Sequence, residues 1–261
     1  MRKVCLFNQN NNSTLSLNIF SRLAKQGKRI LIVDLRENKI NSNAENDVGL
    51  DIKTCLAENR NPSKYIKSLE NNLDIIKGNS NLNLEEFEIF HYLFKHDYIE
   101  KKFGKLHYDY LIFEVSPQLN LLTMNVLSFV NEVMSIINLE KSGIEFIHKL
   151  SAFLSNFNKI YHKKLFVSKI IPTYSKNFEK KEFIHLVSSF TSKMVSFPIS
   201  SKKNKEFSSS LNEISNSLLE DGKIFDAHAN SKEKQKLVNE YIEILHENSI
   251  SEIPLNHFVK N

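Results

Sequence analysis

Glycine and proline are scarce in this chain, with 6 and 5 in 261 residues. So few chain breakers exclude collagen-like and long low-complexity regions. Cysteine is nearly absent too. Cys5 and Cys55 share neither a CxxC nor a metal-ligand spacing, which excludes a disulfide framework and makes a reducing cytoplasm the expected compartment. No apolar run approaches the roughly 18 residues of a membrane span, and the first residues lack the apolar core of a secretory leader. The histidines form no metal-binding pattern, since His91 and His96 would not share a helix face. No Ser/His/Asp set has hydrolase spacing, and no helix-turn-helix or zinc finger is evident.

What is present suits a packed globule. Hydrophobic residues make up 41% and charged residues 25%. Short β-branched and aromatic runs recur at 4–7, 30–34, 73–76, 110–115, 132–137, 164–171 and 194–199. Several are apolar throughout, not alternating, as in strands buried on both faces of a parallel sheet. Segments of helical period lie between them, near 14–25, 84–103, 120–130, 142–156, 178–190, 207–220 and 231–247. The alternation predicts a doubly wound α/β fold, with a mostly parallel sheet of about seven strands and helices on both faces. No repeat or flexible linker interrupts it, so residues 1–261 are read as one domain.

Ligands of such folds bind beyond the carboxyl ends of the strands. After the first strand comes an Asn-rich turn, Asn8 to Ser13, at the start of a helix. A strand, a tight turn and a helix is the layout of a phosphate loop. Here, however, the turn has no glycine to let backbone N–H groups close round phosphate and no lysine; it holds Asn10, Asn11 and Asn12. Asp34 follows the apolar residues of the second strand, and Glu114 follows 110–113. With a competent turn, these groups would hold a nucleotide and Mg²⁺. Ser13 and Thr14 suit helix capping better than metal binding.

In order along the chain, these pieces resemble the ParA/MinD branch of P-loop ATPases, and ParA-type partition proteins in particular. Asn8-Gln9 is similar to the pair preceding the family's loop. Residues 18–36, NIFSRLAKQGKRILIVDLR, resemble its first helix and second strand. Residues 108–127, YDYLIFEVSPQLNLLTMNVL, resemble the stretch around its Walker B carboxylate, and KLFVSKIIPTY at 164–174 a later strand. Residues 195–199 and 222–245 resemble its closing strand and C-terminal helix. The resemblance places Asn12 at the phosphate-binding lysine, Ser13 at the Mg²⁺-binding hydroxyl, Asp34 at the water-orienting aspartate and Glu114 at Walker B. Arg36 stands where a second aspartate is common. The lysine that reaches across the family's dimer has no counterpart, and Asn10 is nearest. A charge-assisted bond to phosphate is worth about 1.5–3 kcal/mol, so losing both lysines removes the anion-binding half of the site. The expectation is a vestigial nucleotide site and lost ATPase activity. No cofactor is expected; ATP and Mg²⁺ enter only if the chain is a divergent but active ATPase, with Lys28 and Arg36 as the candidate charge donors.

The net charge is +5, and residues 159–205 hold eleven lysines against two acids. Lys163, Lys164, Lys176, Lys180, Lys181, Lys202, Lys203 and Lys205 are the candidate DNA-binding set, since phosphate neutralisation needs only clustered positive charge. The expected function is nucleotide-independent binding of non-specific DNA, or of a ParB-like or ParA-like partner, in DNA partition or positioning. The chain is expected as a homodimer or monomer, in the cytoplasm or on the nucleoid. A regulator of a competent ParA/MinD-like ATPase is the further alternative. The tail SEIPLNHFVKN does not read as a membrane-attaching helix.

Overall fold

The computed structural model describes residues 1–9, 13–36, 51–57, 60–78, 97–174, 180–190, 195–196, 199–200 and 205–219. Within them eight strands form one sheet: β1 (Arg2–Asn8), β2 (Ile30–Asp34), β3 (Lys67–Glu70), β4 (Leu73–Ile76), β5 (Tyr110–Val115), β6 (Glu132–Asn138), β7 (Val167–Tyr174) and β8 (Ile199–Ser200). Their order is β3-β4-β2-β5-β1-β6-β7-β8. Every pairing is parallel except that of β3 with β4 at one edge. The helices are α1 (Ser13–Lys25), α2 (Ile52–Ala57), α3 (Tyr98–Phe103), α4 (Leu121–Phe129), α5 (Lys141–Tyr161), α6 (Lys180–Ser189) and α7 (Lys205–Leu219), with a 3₁₀ turn at Pro62–Tyr65.

Successive strand residues point to opposite faces, and the core divides accordingly. Val4, Leu6, Ile30, Ile32, Tyr110 and Ile112 pack with Leu15, Ile19, Phe20 and Leu23 of α1 and Leu211, Ile214 and Leu218 of α7. Cys5, Phe7, Leu31, Val33, Leu111 and Phe113 pack on the other face against α2 to α6. Phe113 anchors that second layer edge-on to Phe103 and Phe129, at ring separations of 5.3 and 5.9 Å. This is the doubly wound α/β fold.

Six of the apolar runs coincide with strands. In the seventh, 194–199, Val195 forms a single bridge to Ile170, and the strand itself is Ile199–Ser200. Of the helix expected at 84–103, the described part is Tyr98–Phe103. The helix expected at 231–247 lies outside the described residues. Among the described residues no helix is long and apolar enough to cross a membrane.

Candidate functional site

β2 and β5 are neighbours, in a register that sets Asp34 opposite Glu114. Both side chains therefore leave the sheet on one face, the face covered by α1. Asn8, at the end of β1 on the other side of β5, points the same way, because it continues the Val4–Leu6 alternation. Three strand ends and the first turns of α1 thus converge on one small volume. All of it is buried: Asn8 and Ser16 are 0% exposed, Glu114 2% and Asp34 6%.

A cation fills this volume. Arg36 is 0% exposed. Its backbone N–H donates to Asp34 Oδ1 at 3.1 Å, its Nε donates to the same oxygen at 2.9 Å and its Nη2 donates to Oδ2 at 2.9 Å. Its Nη1 lies 3.1 Å from Glu114 Oε1. The angle there is not that of a hydrogen bond, so the contact is ionic. Asn8 Nδ2 donates to Glu114 Oε1 at 2.5 Å. The Ser16 hydroxyl lies 2.9 and 3.0 Å from the two Glu114 oxygens.

Two carboxylates and one guanidinium carry one surplus negative charge when all are ionised. Burial pushes the Glu114 carboxyl up, and the charge of Asp34 adds to this. The Arg36 charge and the bonds from Asn8 and Ser16 pull it down, and the result is about 7. Burial alone would lower the Arg36 value. The hydrogen bonds to Asp34 and the charges of Glu114 and Asp34 outweigh burial and raise it, so the guanidinium stays charged.

Of the residues singled out from sequence, the structure brings Asp34 and Glu114 together. Ser13 opens α1 and Thr14 is exposed; the hydroxyl that meets Glu114 belongs to Ser16. Asn10, Asn11 and Asn12 lie outside the described residues. Among the lysines, Lys164 and Lys181 are exposed and Lys163 is half-buried, while Lys180 and Lys205 open α6 and α7. Lys176, Lys202 and Lys203 lie outside the described residues. Lys169, one of the eleven in the basic stretch, is buried at 3% exposure and does not belong to a surface face. Sequence reading gave Asn8, Ser16 and Arg36 no part in holding the carboxylates.

An α/β sheet of this order, with carboxylates at the ends of β2 and β5 facing the first helix, defines a P-loop NTPase-like protein. The AAA domain family matches residues 1–167; the chain belongs to that family and, within it, to the ParA/MinD-type P-loop ATPases. The sporulation initiation inhibitor protein Soj of Bacillus subtilis is 28% identical over 148 residues, covering 53% of this chain and 57% of Soj. The match thus spans little more than half the length of that curated relative. A plasmid partition protein from Borrelia burgdorferi shares the fold with a TM-score of 0.59 and 21% identity, over 81% of this chain and 97% of that one. Cobyrinic acid a,c-diamide synthase from Mycobacterium smegmatis, solved with an ATP analog and magnesium, shares it with a TM-score of 0.70 and 18% identity, over 84% and 94%.

Family membership implies Mg²⁺ near Glu114. The described residues do not fit that ion. The Glu114 oxygens meet N–H and O–H donors, and a fixed guanidinium already bridges the two carboxylates. A divalent cation here would have to displace the guanidinium or accept its repulsion at close range. Among the described residues no group of three or more His, Cys, Asp or Glu is placed to hold a metal.

Proposed function

We propose that this chain is a pseudo-ATPase of the ParA type, which serves DNA partition or positioning by binding DNA or a protein partner without a nucleotide cycle. The observation that carries this reading is the Arg36 guanidinium seated between Asp34 and Glu114. In a hydrolytic site those carboxylates must be free to orient water and a metal. Here both are committed to an internal cation that the fold cannot release cheaply, because removing one member of a buried ion pair costs about 3–5 kcal/mol. The sequence from Asn8 to Ser13 supports the same reading, since it has neither glycine nor lysine to receive phosphate. A ParA-type switch that cannot be set by ATP would persist in one state, as a monomer or a nucleotide-independent dimer.

The basic stretch supplies the DNA side of the reading. Lys164 and Lys181 are exposed cations, and the chain carries a net charge of +5. Binding through such groups is independent of base sequence and falls steeply with salt. Fluorescence anisotropy with a mixed-sequence duplex tests it. The reading predicts equal affinity with and without ATP and Mg²⁺; binding that requires ATP contradicts it.

A divergent, active ATPase is the second reading, favoured by one observation: the register still brings Asp34 and Glu114 together. Phosphate release above background by the pure chain, with DNA and partner added, would put that reading first.

A further inference from the structure

Away from the carboxylate site, the end of α5 forms a corner of unusual composition. Ile160 is 69% exposed and Phe166 is 58% exposed, the two most exposed large apolar side chains among the described residues. They flank a turn with Lys159, Lys163 and Lys164, of which Lys159 and Lys164 are exposed and Lys163 half-buried. No acid occurs anywhere between Glu145 and Glu179.

The turn is built, not loose. His162 takes the left-handed conformation at φ 52°, and its N–H closes α5 on the Asn158 carbonyl. The Asn158 side chain then clamps the chain beyond the turn. Its Nδ2 donates to the Leu165 carbonyl at 2.6 Å, and its Oδ1 accepts from the Leu165 N–H at 2.9 Å. Beneath the corner, Phe157 and Tyr161 stack with ring centres 4.4 Å apart. The fold thus holds both apolar side chains out to solvent among lysines.

We infer that this corner is a docking site for an acidic segment of a partner protein that carries large apolar side chains. Phosphate contacts of DNA engage cations and polar donors, not apolar side chains, and leave Ile160 and Phe166 in water. An acidic segment with apolar anchors buries both and pairs with the lysines. A small apolar centre ringed by charge is the arrangement of an interface hot spot. The inference rests on the partner side of the reading above and names the surface and the chemistry of that partner.

The test uses the full chain and three fluorescein-labelled probes: a helical peptide with Glu on one face and Leu and Phe on the other, the same peptide with Leu and Phe replaced by Ser, and a mixed-sequence DNA duplex. The double variant Ile160→Ser, Phe166→Ser changes only exposed side chains, and an unchanged thermal midpoint confirms its fold. Wild type binds the amphipathic peptide, and the double variant binds it at least about ten-fold more weakly. The Ser-substituted peptide binds both proteins equally weakly, and DNA affinity is the same in both. Peptide affinity unchanged in the double variant, or no peptide binding at low salt, overturns the docking site. DNA affinity falling in the variant as far as peptide affinity also overturns it, by assigning the corner to DNA. Each measurement is made with and without ATP and Mg²⁺. Peptide binding that appears only with nucleotide contradicts the nucleotide-independent reading and leaves the docking site standing.

Discussion

Arg36 holds the carboxylate of Asp34, two residues before it, in two side-chain hydrogen bonds of 2.9 Å, Nε to Oδ1 and Nη2 to Oδ2. The fork matches the carboxylate in the geometry that makes arginine the strongest partner of this group. Its remaining nitrogen reaches Glu114 on the neighbouring strand at 3.1 Å. One side chain thereby couples the ends of β2 and β5, the place where the fold family would handle water and a metal.

Arg36→Met leaves two buried carboxylates facing each other without a cation. Stability in urea at about pH 8 falls by about 3–5 kcal/mol. The triple change Arg36→Met, Asp34→Asn, Glu114→Gln removes all three charges and recovers most of the loss, because neutral side chains need no countercharge. A triple variant as unstable as the single one would show that packing, not charge, is what Arg36 supplies.

Glu114 makes stability depend on pH in an unusual direction for a carboxylate. Its value rises from 4.5 to about 7 in the folded chain, so the native state holds a proton that the unfolded state releases. Its contribution is full below about pH 4.5 and is lost as pH rises through about 7. Shifts of this size correspond to about 3 kcal/mol across that window. Urea midpoints measured across the window fall with rising pH for wild type, and Glu114→Gln removes that part of the slope. An identical slope in the variant would place the effect elsewhere.

Gly143 marks how closely α5 approaches the end of β6. A Cβ there would stand 2.1 Å from the Asn138 carbonyl oxygen and 3.0 Å from Gln9 Oε1. Gln9 Oε1 itself accepts from the Asn138 N–H at 3.0 Å, which ties the end of β6 to the residue after β1. Gly143→Ala forces helix and strand apart and costs about 3 kcal/mol, read as a lower thermal midpoint. A midpoint equal to wild type would mean that the helix end shifts freely.

Lys180→Gln with Lys181→Gln, at the start of α6, separates the basic surface from the α5 corner. If both lysines meet phosphates, the slope of log affinity against log salt falls by about 0.9 for each, or about 2 together. The loss is the same for any duplex sequence. An unchanged slope removes α6 from the DNA-binding surface.

The sheet was readable in the sequence because its central strands are apolar on both faces; VCLF, ILIV and YLIF cannot sit at a surface. β3 was not readable, since KSLE is a polar, half-exposed edge whose only warrant is its antiparallel pairing with β4. In the run at 194–199, among the described residues, Val195 alone bridges to β7 before the short strand Ile199–Ser200. The carboxylates were readable from their place at strand ends. Arg36 was read as a departure from an acidic position, because a sequence does not say which way a side chain turns after its strand ends. Ser16 was hidden because the stretch before it lacks the family's glycines and lysines, which leaves the start of α1 without a sequence anchor.

Titration calorimetry with ATP and Mg²⁺, at protein concentrations that reveal millimolar affinity, tests most directly whether Arg36 has replaced the nucleotide's metal. The account predicts no heat of binding for the wild-type chain. Micromolar binding by the wild-type chain would mean that Arg36 yields its place between Asp34 and Glu114, and would contradict the account at its centre.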